Sequence, residues 1–139
     1  MRNKIVPALA AMLSAVVFAG AAFASGSEGS GVSADEALKM LTEGNAAFVA
    51  GKSTHPNADV KRAAETAEKG QHPFVTILSC ADSRVPLEVI FDRGIGDIFV
   101  VRVAGNVSDT DEIGTVDYGV EHLGTPLVVV LGHTKCGAV

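Results

Sequence analysis

The chain has no tryptophan and one tyrosine among its 139 residues, and aromatics make up 5% of it. A core built from this sequence therefore rests on Val, Leu, Ile and Ala. Basic residues are also short: eleven Lys and Arg face sixteen Asp and Glu, a net charge of −5. With no basic face, nucleic-acid binding is disfavoured at the outset. Cysteine occurs only twice, and there are no internal repeats. What remains is 47% apolar and 19% charged, with mean hydropathy +0.32. Such a composition buries a core and excludes disorder. At 14.2 kDa the chain has room for one domain and is too short for two ordinary ones.

The first 24 residues read as an address. Arg2 and Lys4 precede an uncharged stretch from Ile5 to Ala24, which ends in Ala22-Phe23-Ala24 before Ser25. A charged start, an apolar middle and a small-x-small finish describe a secretory signal peptide cut after Ala24. The competing reading is an uncleaved anchor, because the run is nearly long enough to span a bilayer. Pro7 and the many Ala and Gly make it weakly hydrophobic, which favours cleavage. Export, to a periplasm if the source is bacterial, is the expectation. Residues 25–32 read as a flexible spacer, leaving a domain over 33–139.

Two helices open that domain. Ser33-Ala34-Asp35-Glu36 has capping-box spacing, and Leu38, Leu41, Phe48 and Val49 follow at near-helical intervals. The pattern predicts a helix over 34–50 stopped by Gly51, then a polar helix over 58–69 ending at Gly70. Both read as packing and oligomer-forming elements. Three short apolar runs follow, at 74–78, 98–101 and 127–131, suited to strands buried on both faces. A short helix is expected at 86–91 and a longer one from 109 to 123, closed by Gly124 and Pro126. The alternation gives an α/β class, a Rossmann-like parallel sheet flanked by helices. The chain stops just after the third strand, where a crossover helix is expected, so the sequence reads as a fragment whose outer strand lies open.

Ligands bind beyond the carboxyl ends of parallel strands. The first strand runs into Ser79-Cys80-Ala81-Asp82-Ser83-Arg84, and the third into Gly132-His133-Thr134-Lys135-Cys136-Gly137. If those strands are neighbours, Cys80, His133 and Cys136 converge. Two thiolates and an imidazole suit Zn²⁺ and leave a fourth position open. In an extended loop, Cys80, Asp82 and Arg84 alternate onto one side. Asp82 can then close the zinc shell as a fourth ligand, or pair with Arg84 and accept a hydrogen bond from the zinc's water, whose pKa falls to about 7. A Cys80–Cys136 disulfide is the alternative in an exported protein. Gly94-Ile95-Gly96 precedes a strand and reads as a turn, not a dinucleotide loop. His55, His72 and His122 read as surface groups, and Met40 as a packing residue.

At these residues the chain resembles a β-class carbonic anhydrase. The likeness rests on Cys80-Ala81-Asp82-Ser83-Arg84 and His133-Thr134-Lys135-Cys136-Gly137, supported by Phe99-Val100-Val101-Arg102 and Gly105-Asn106. It implies one zinc per chain on Cys80, His133 and Cys136, with Asp82 and Arg84 as a catalytic dyad. Zinc-bound hydroxide would attack CO₂ to give bicarbonate, and with the dyad broken Asp82 would bind the metal and shut the site. Gln71, Phe99 and Tyr118 would line the substrate pocket, partly across a subunit interface, and the Gly137 N–H would help hold bicarbonate. Without the resemblance, Phe99 and Tyr118 read as core aromatics and Gln71 as a turn residue. It also implies a homodimer or higher homo-oligomer, no membrane attachment after cleavage, and a family fold whose C-terminal part is missing here. The Trp of one subgroup's bicarbonate-regulated site has no counterpart, so that regulation is not expected. Two other functions stand beside CO₂ hydration: hydrolysis of carbon disulfide or carbonyl sulfide on the same scaffold, and an inactive fragment serving as an interaction module.

Overall fold

A computed structural model describes residues 29–139. The expected signal peptide and residues 25–28 of the spacer lie outside the described residues. Helix α1 spans Ala34–Val49. Ser33 caps it by accepting the Glu36 N–H at 3.2 Å, and Asp35 and Glu36 complement the positive end of the helix dipole. Its exit is a Schellman turn: Gly51 donates to the Phe48 carbonyl at 3.0 Å and Lys52 to the Ala47 carbonyl at 2.8 Å. Gly51 takes φ 65°, the left-handed conformation this turn requires. The helix buries Ala37, Leu41 and Gly44, one stripe at helical spacing. Helix α2, Val60–Lys69, starts at an Asp59 cap and buries no residue fully.

Strands β1 (Val75–Cys80), β2 (Ile98–Val103) and β3 (Val128–Leu131) form a parallel sheet in the order β2-β1-β3. β1 is central, pairing Cys80 with Val103 on one side and Ser79 with Leu131 on the other. Every β1 residue is buried, as expected of a strand covered on both faces. The core on one face joins Val75, Ile77 and Ile98 to Ala37 and Leu41 of α1 and to Leu87 of α3 (Leu87–Ile90), with Met40, Val129 and Leu131 packed against it. Gly94–Gly96 forms a turn ahead of β2, closed by the Asp97 N–H on the Gly94 carbonyl at 3.2 Å.

The other face is covered by α4, Thr110–Asp117, which opens on a capping box between Asp109 and Glu112. Here the structure corrects the expected single helix. After Asp117 the backbone widens over Tyr118–His122, and Leu123 donates to the carbonyl of Tyr118 instead of Gly119. The cause is Thr125, whose N–H and hydroxyl both take the Gly119 carbonyl, at 3.1 and 3.0 Å. Its hydroxyl also meets Thr76 of β1 at 2.8 Å. Losing that carbonyl to Thr125 shifts the helical bond by one residue. The expectation for the third strand also changes. α4 lies over β1 and β2, so Val128 and Val130, facing its side, stay 42% and 65% exposed.

Candidate metal centre

Because β1 and β3 are direct neighbours running the same way, their C-terminal ends deliver the two cysteine loops to one place. One donor atom each from Cys80, His133 and Cys136 lie within 4.8 Å of one another. The sulfurs of Cys80 and Cys136 are 3.8 Å apart. That excludes a disulfide in this structure, whose S–S length is about 2.05 Å. A tetrahedral zinc with Zn–S bonds of about 2.3 Å sets its sulfurs about 3.8 Å apart, so the spacing fits the metal. His133 fits as well. Its Nδ1–H donates to the Thr134 carbonyl at 3.0 Å, which leaves Nε2 as the ligand nitrogen. Nε2 is buried and has no hydrogen-bond partner among the described residues. Such an orphaned atom is what a metal ligand looks like before the metal is counted.

The electrostatics favour thiolate. Cys80 is buried, yet its pKa is drawn down to about 6, first by the Gly105 N–H, 3.2 Å from Sγ, and then by the His133 ring. Gly105 reaches the sulfur from the turn Ala104–Asn106 after β2, with φ 77°. The Cys80 sulfur in turn raises the His133 pKa. Asp82 receives a bidentate pair from Arg84, Nε to Oδ1 at 2.9 Å and Nη2 to Oδ2 at 2.8 Å, with the Arg84 N–H also on Oδ1. Those bonds hold its carboxyl far below the usual carboxylate range. Arg84, its own pKa raised by Asp82, also donates to the Lys135 carbonyl at 3.0 Å and so ties the two loops together. Asp82 Oδ2 lies 3.8 Å from His133 Nε2, beside the donors. Next to them opens a cavity of about 480 Å³, lined by Asn106, Lys135 and Cys136 among others.

The sequence-predicted residues thus fall into two groups. Cys80, Asp82, Arg84, His133 and Cys136 come together, with Gly137 following Cys136 in the chain. Gln71 and Tyr118 line a separate cavity of about 880 Å³, and the Tyr118 ring lies 5.8 Å from that of Phe99. Phe99 pairs with Thr76 near the start of β1. Cys80 stands four residues further on, about 13 Å along a strand. Within one chain the two groups occupy opposite ends of the sheet. Of the other histidines, His55 lies 3.9 Å from Asp92 and His122 packs its ring 5.1 Å from Tyr118. Sequence reasoning missed the Gly105 N–H bond to sulfur and the side chain of Arg102, which donates to the Cys80 and Asp82 carbonyls. Their one sequence signal was membership of the motifs around 99–106.

Fold and site together define an α/β protein with a two-thiol, one-imidazole metal-site geometry at the carboxyl edge of its sheet. The carbonic anhydrase sequence family matches residues 75–139. Carbonic anhydrase 2 of Mycobacterium tuberculosis is 53% identical over 103 residues, 74% of this chain and 49% of that protein. The β-carbonic anhydrase CafA of Aspergillus fumigatus superposes with a TM-score of 0.52 at 31% identity, over 72% of this chain and 48% of that one. A tetrameric β-carbonic anhydrase of Sordaria macrospora gives 0.51 at 27% identity, over 72% and 50%. Across its described domain the chain is similar in sequence and fold to the β-class carbonic anhydrases. It spans about half the length of the curated relatives it matches.

Proposed function

We propose that this protein catalyses the reversible hydration of carbon dioxide to bicarbonate and a proton, with one Zn²⁺ held by Cys80, His133 and Cys136. The observation that carries the reading is the convergence of these three donors beside a carboxylate already occupied by a guanidinium. Zinc supplies Lewis acidity there, which makes water a nucleophile at neutral pH.

The chain's own residues do the rest. Thr134 fixes the His133 tautomer, so that Nε2 faces the donors. Arg84 keeps the Asp82 carboxylate ionised and turned to itself, which leaves Asp82 able to accept a hydrogen bond donated by the O–H of the attacking water and so orient it. If Asp82 let go of Arg84, its Oδ2 would be the nearest carboxylate oxygen to close the fourth position. The Gly137 N–H is assigned to the bicarbonate oxygen. Gln71, Phe99 and Tyr118 are assigned to the substrate pocket of a neighbouring subunit, because within one chain they stand at the far end of β1 from Cys80. That assignment requires a homo-oligomer. The reading also includes export: residues 1–24 as a cleaved signal peptide, the spacer after it, and a domain from 33 onward acting outside the cytoplasm, periplasmic in a bacterium.

Stopped-flow CO₂ hydration on the reduced, zinc-supplied protein tests this. The expected result is a rate well above that of buffer, abolished together with bound zinc in Cys136→Ser. Turnover of carbon disulfide or carbonyl sulfide with no CO₂ hydration would move the assignment to those substrates. No turnover of any of them, with a Cys80–Cys136 disulfide found by mass, would leave an interaction module.

A further inference from the structure

Resting on the metal-site reading above, we propose that Arg102 is a positioning residue that sets the spacing between Cys80 and Asp82. Both residues act from one short segment, and that segment begins where strand pairing ends. The β1–β3 register stops at Ser79 with Leu131, and the β1–β2 register at Cys80 with Val103. One further backbone bond, from the Ala81 N–H to the Val103 carbonyl at 3.0 Å, continues the ladder. The carbonyls on either side of Ala81 both accept from one side chain, that of Asp82 also accepting the Val85 N–H at 3.0 Å. Arg102, the β2 partner of Ser79, donates from Nε to the Cys80 carbonyl at 2.9 Å and from Nη2 to the Asp82 carbonyl at 2.6 Å.

A planar guanidinium bridging two carbonyls that are two residues apart fixes the segment between them. It holds the chain extended, so that the Cys80 sulfur and the Asp82 carboxylate emerge on one side. The half-buried Arg102 touches neither the donor atoms nor the carboxylate. Arg84 holds Asp82 by its side chain from the exposed side, whereas Arg102 holds the backbone beneath. The two arginines therefore constrain the same segment through different atoms. Lysine at 102 keeps the charge but carries its donors on one rotatable nitrogen and loses the planar fork that holds the two carbonyls at a set spacing. Glutamine keeps a donor and loses both the charge and the fork.

The test uses Co²⁺ as the probe, bound to the full protein, with Arg102→Lys and Arg102→Gln beside wild type. Arg62→Lys serves as a control, since Arg62 donates to the Ile95 carbonyl on the other side of the fold. Expected for both Arg102 variants is a weakening of Co²⁺ affinity by about 10-fold or more, the range seen when outer-shell partners of metal ligands are removed. Their thiolate-to-cobalt absorption bands should shift, with melting temperatures close to wild type, and Arg62→Lys should leave the bands unchanged. Unaltered bands and affinity in both Arg102 variants would overturn the inference, as would a lowered melting temperature with unaltered bands. Wild type failing to take up Co²⁺ would sink the metal-site reading itself, an outcome distinct from either.

Discussion

A thiol buried in a protein ordinarily resists ionisation, and Cys80 reverses that through its neighbours. The Gly105 N–H and the His133 ring outweigh burial and bring its pKa down to about 6, which favours the thiolate form of the buried sulfur. Asp82 differs in kind: its charge is secured by Arg84 and does not depend on the metal. Substitution should separate the two roles. Cys136→Ser is expected to lose zinc, measured by metal analysis after dialysis. Asp82→Asn is expected to keep near-stoichiometric zinc while CO₂ hydration falls by about 100-fold, the low end of what a positioned proton acceptor contributes. Away from the site, Asp92 is the residue that titrates into stability. Its buried carboxylate accepts the Thr54 and His55 N–H groups at 2.7–3.0 Å, and these bonds, Thr54 first, lower its pKa. A folded-state pKa below the unfolded one contributes stability above the unfolded value of about 3.9 and loses it as pH falls toward the folded value. Asp92→Asn should therefore melt several degrees lower than wild type at pH 7, and that gap should close in acid. A gap that is constant with pH would mean that the carboxylate's charge is not what holds the loop.

At the scale of elements, two glycines set how closely the layers approach. A Cβ on Gly44 of α1 would stand 1.8 Å from the Phe91 carbonyl, and one on Gly119 would stand 2.3 Å from the Thr76 hydroxyl and 2.8 Å from the Phe99 ring. Either alanine substitution should cost about 1–3 kcal/mol by overpacking, read from denaturant melts. Gly119→Ala should in addition disturb the Tyr118–Phe99 contact, visible in tyrosine fluorescence, whereas Gly44→Ala should not. What the sequence revealed about these elements follows the range of the forces. The Ser33 cap, the Gly51 stop and the helix start at Asp109 depend on residues three or four apart, and they were readable. The widened turn at Tyr118–His122 depends on Thr125 taking the Gly119 carbonyl and on Thr76 behind it, 49 residues from Thr125, and no local pattern announces it. The same holds at the site. Cys80, Asp82 and Arg84 form a readable alternation, but their meeting with His133 and Cys136 required β1 beside β3. Strand adjacency is a property of the sheet order. Arg102 stood in the motif at 99–102, but its contacts were not legible, because its partners are backbone carbonyls, which carry no sequence signature.

At the scale of the whole molecule, the sheet separates the metal donors from Gln71, Phe99 and Tyr118 by the length of β1. If both groups serve one reaction, a complete site needs two chains. That predicts complementation. Gln71→Ala and Cys136→Ser proteins should each be impaired alone, while mixed oligomers reassembled from the two should regain part of the wild-type CO₂ hydration rate, since some interfaces pair an intact donor set with an intact pocket. Mixtures no faster than the sum of the two separate variants would place the substrate pocket within one chain. Beneath all of this is the claim that two parallel strands bring two thiolates and one imidazole to a single zinc. X-ray absorption at the zinc edge of the reduced, zinc-loaded protein tests it most directly. Expected are two sulfur ligands at about 2.3 Å and one imidazole nitrogen at about 2.0–2.1 Å. A zinc bound through oxygen and nitrogen alone would contradict it.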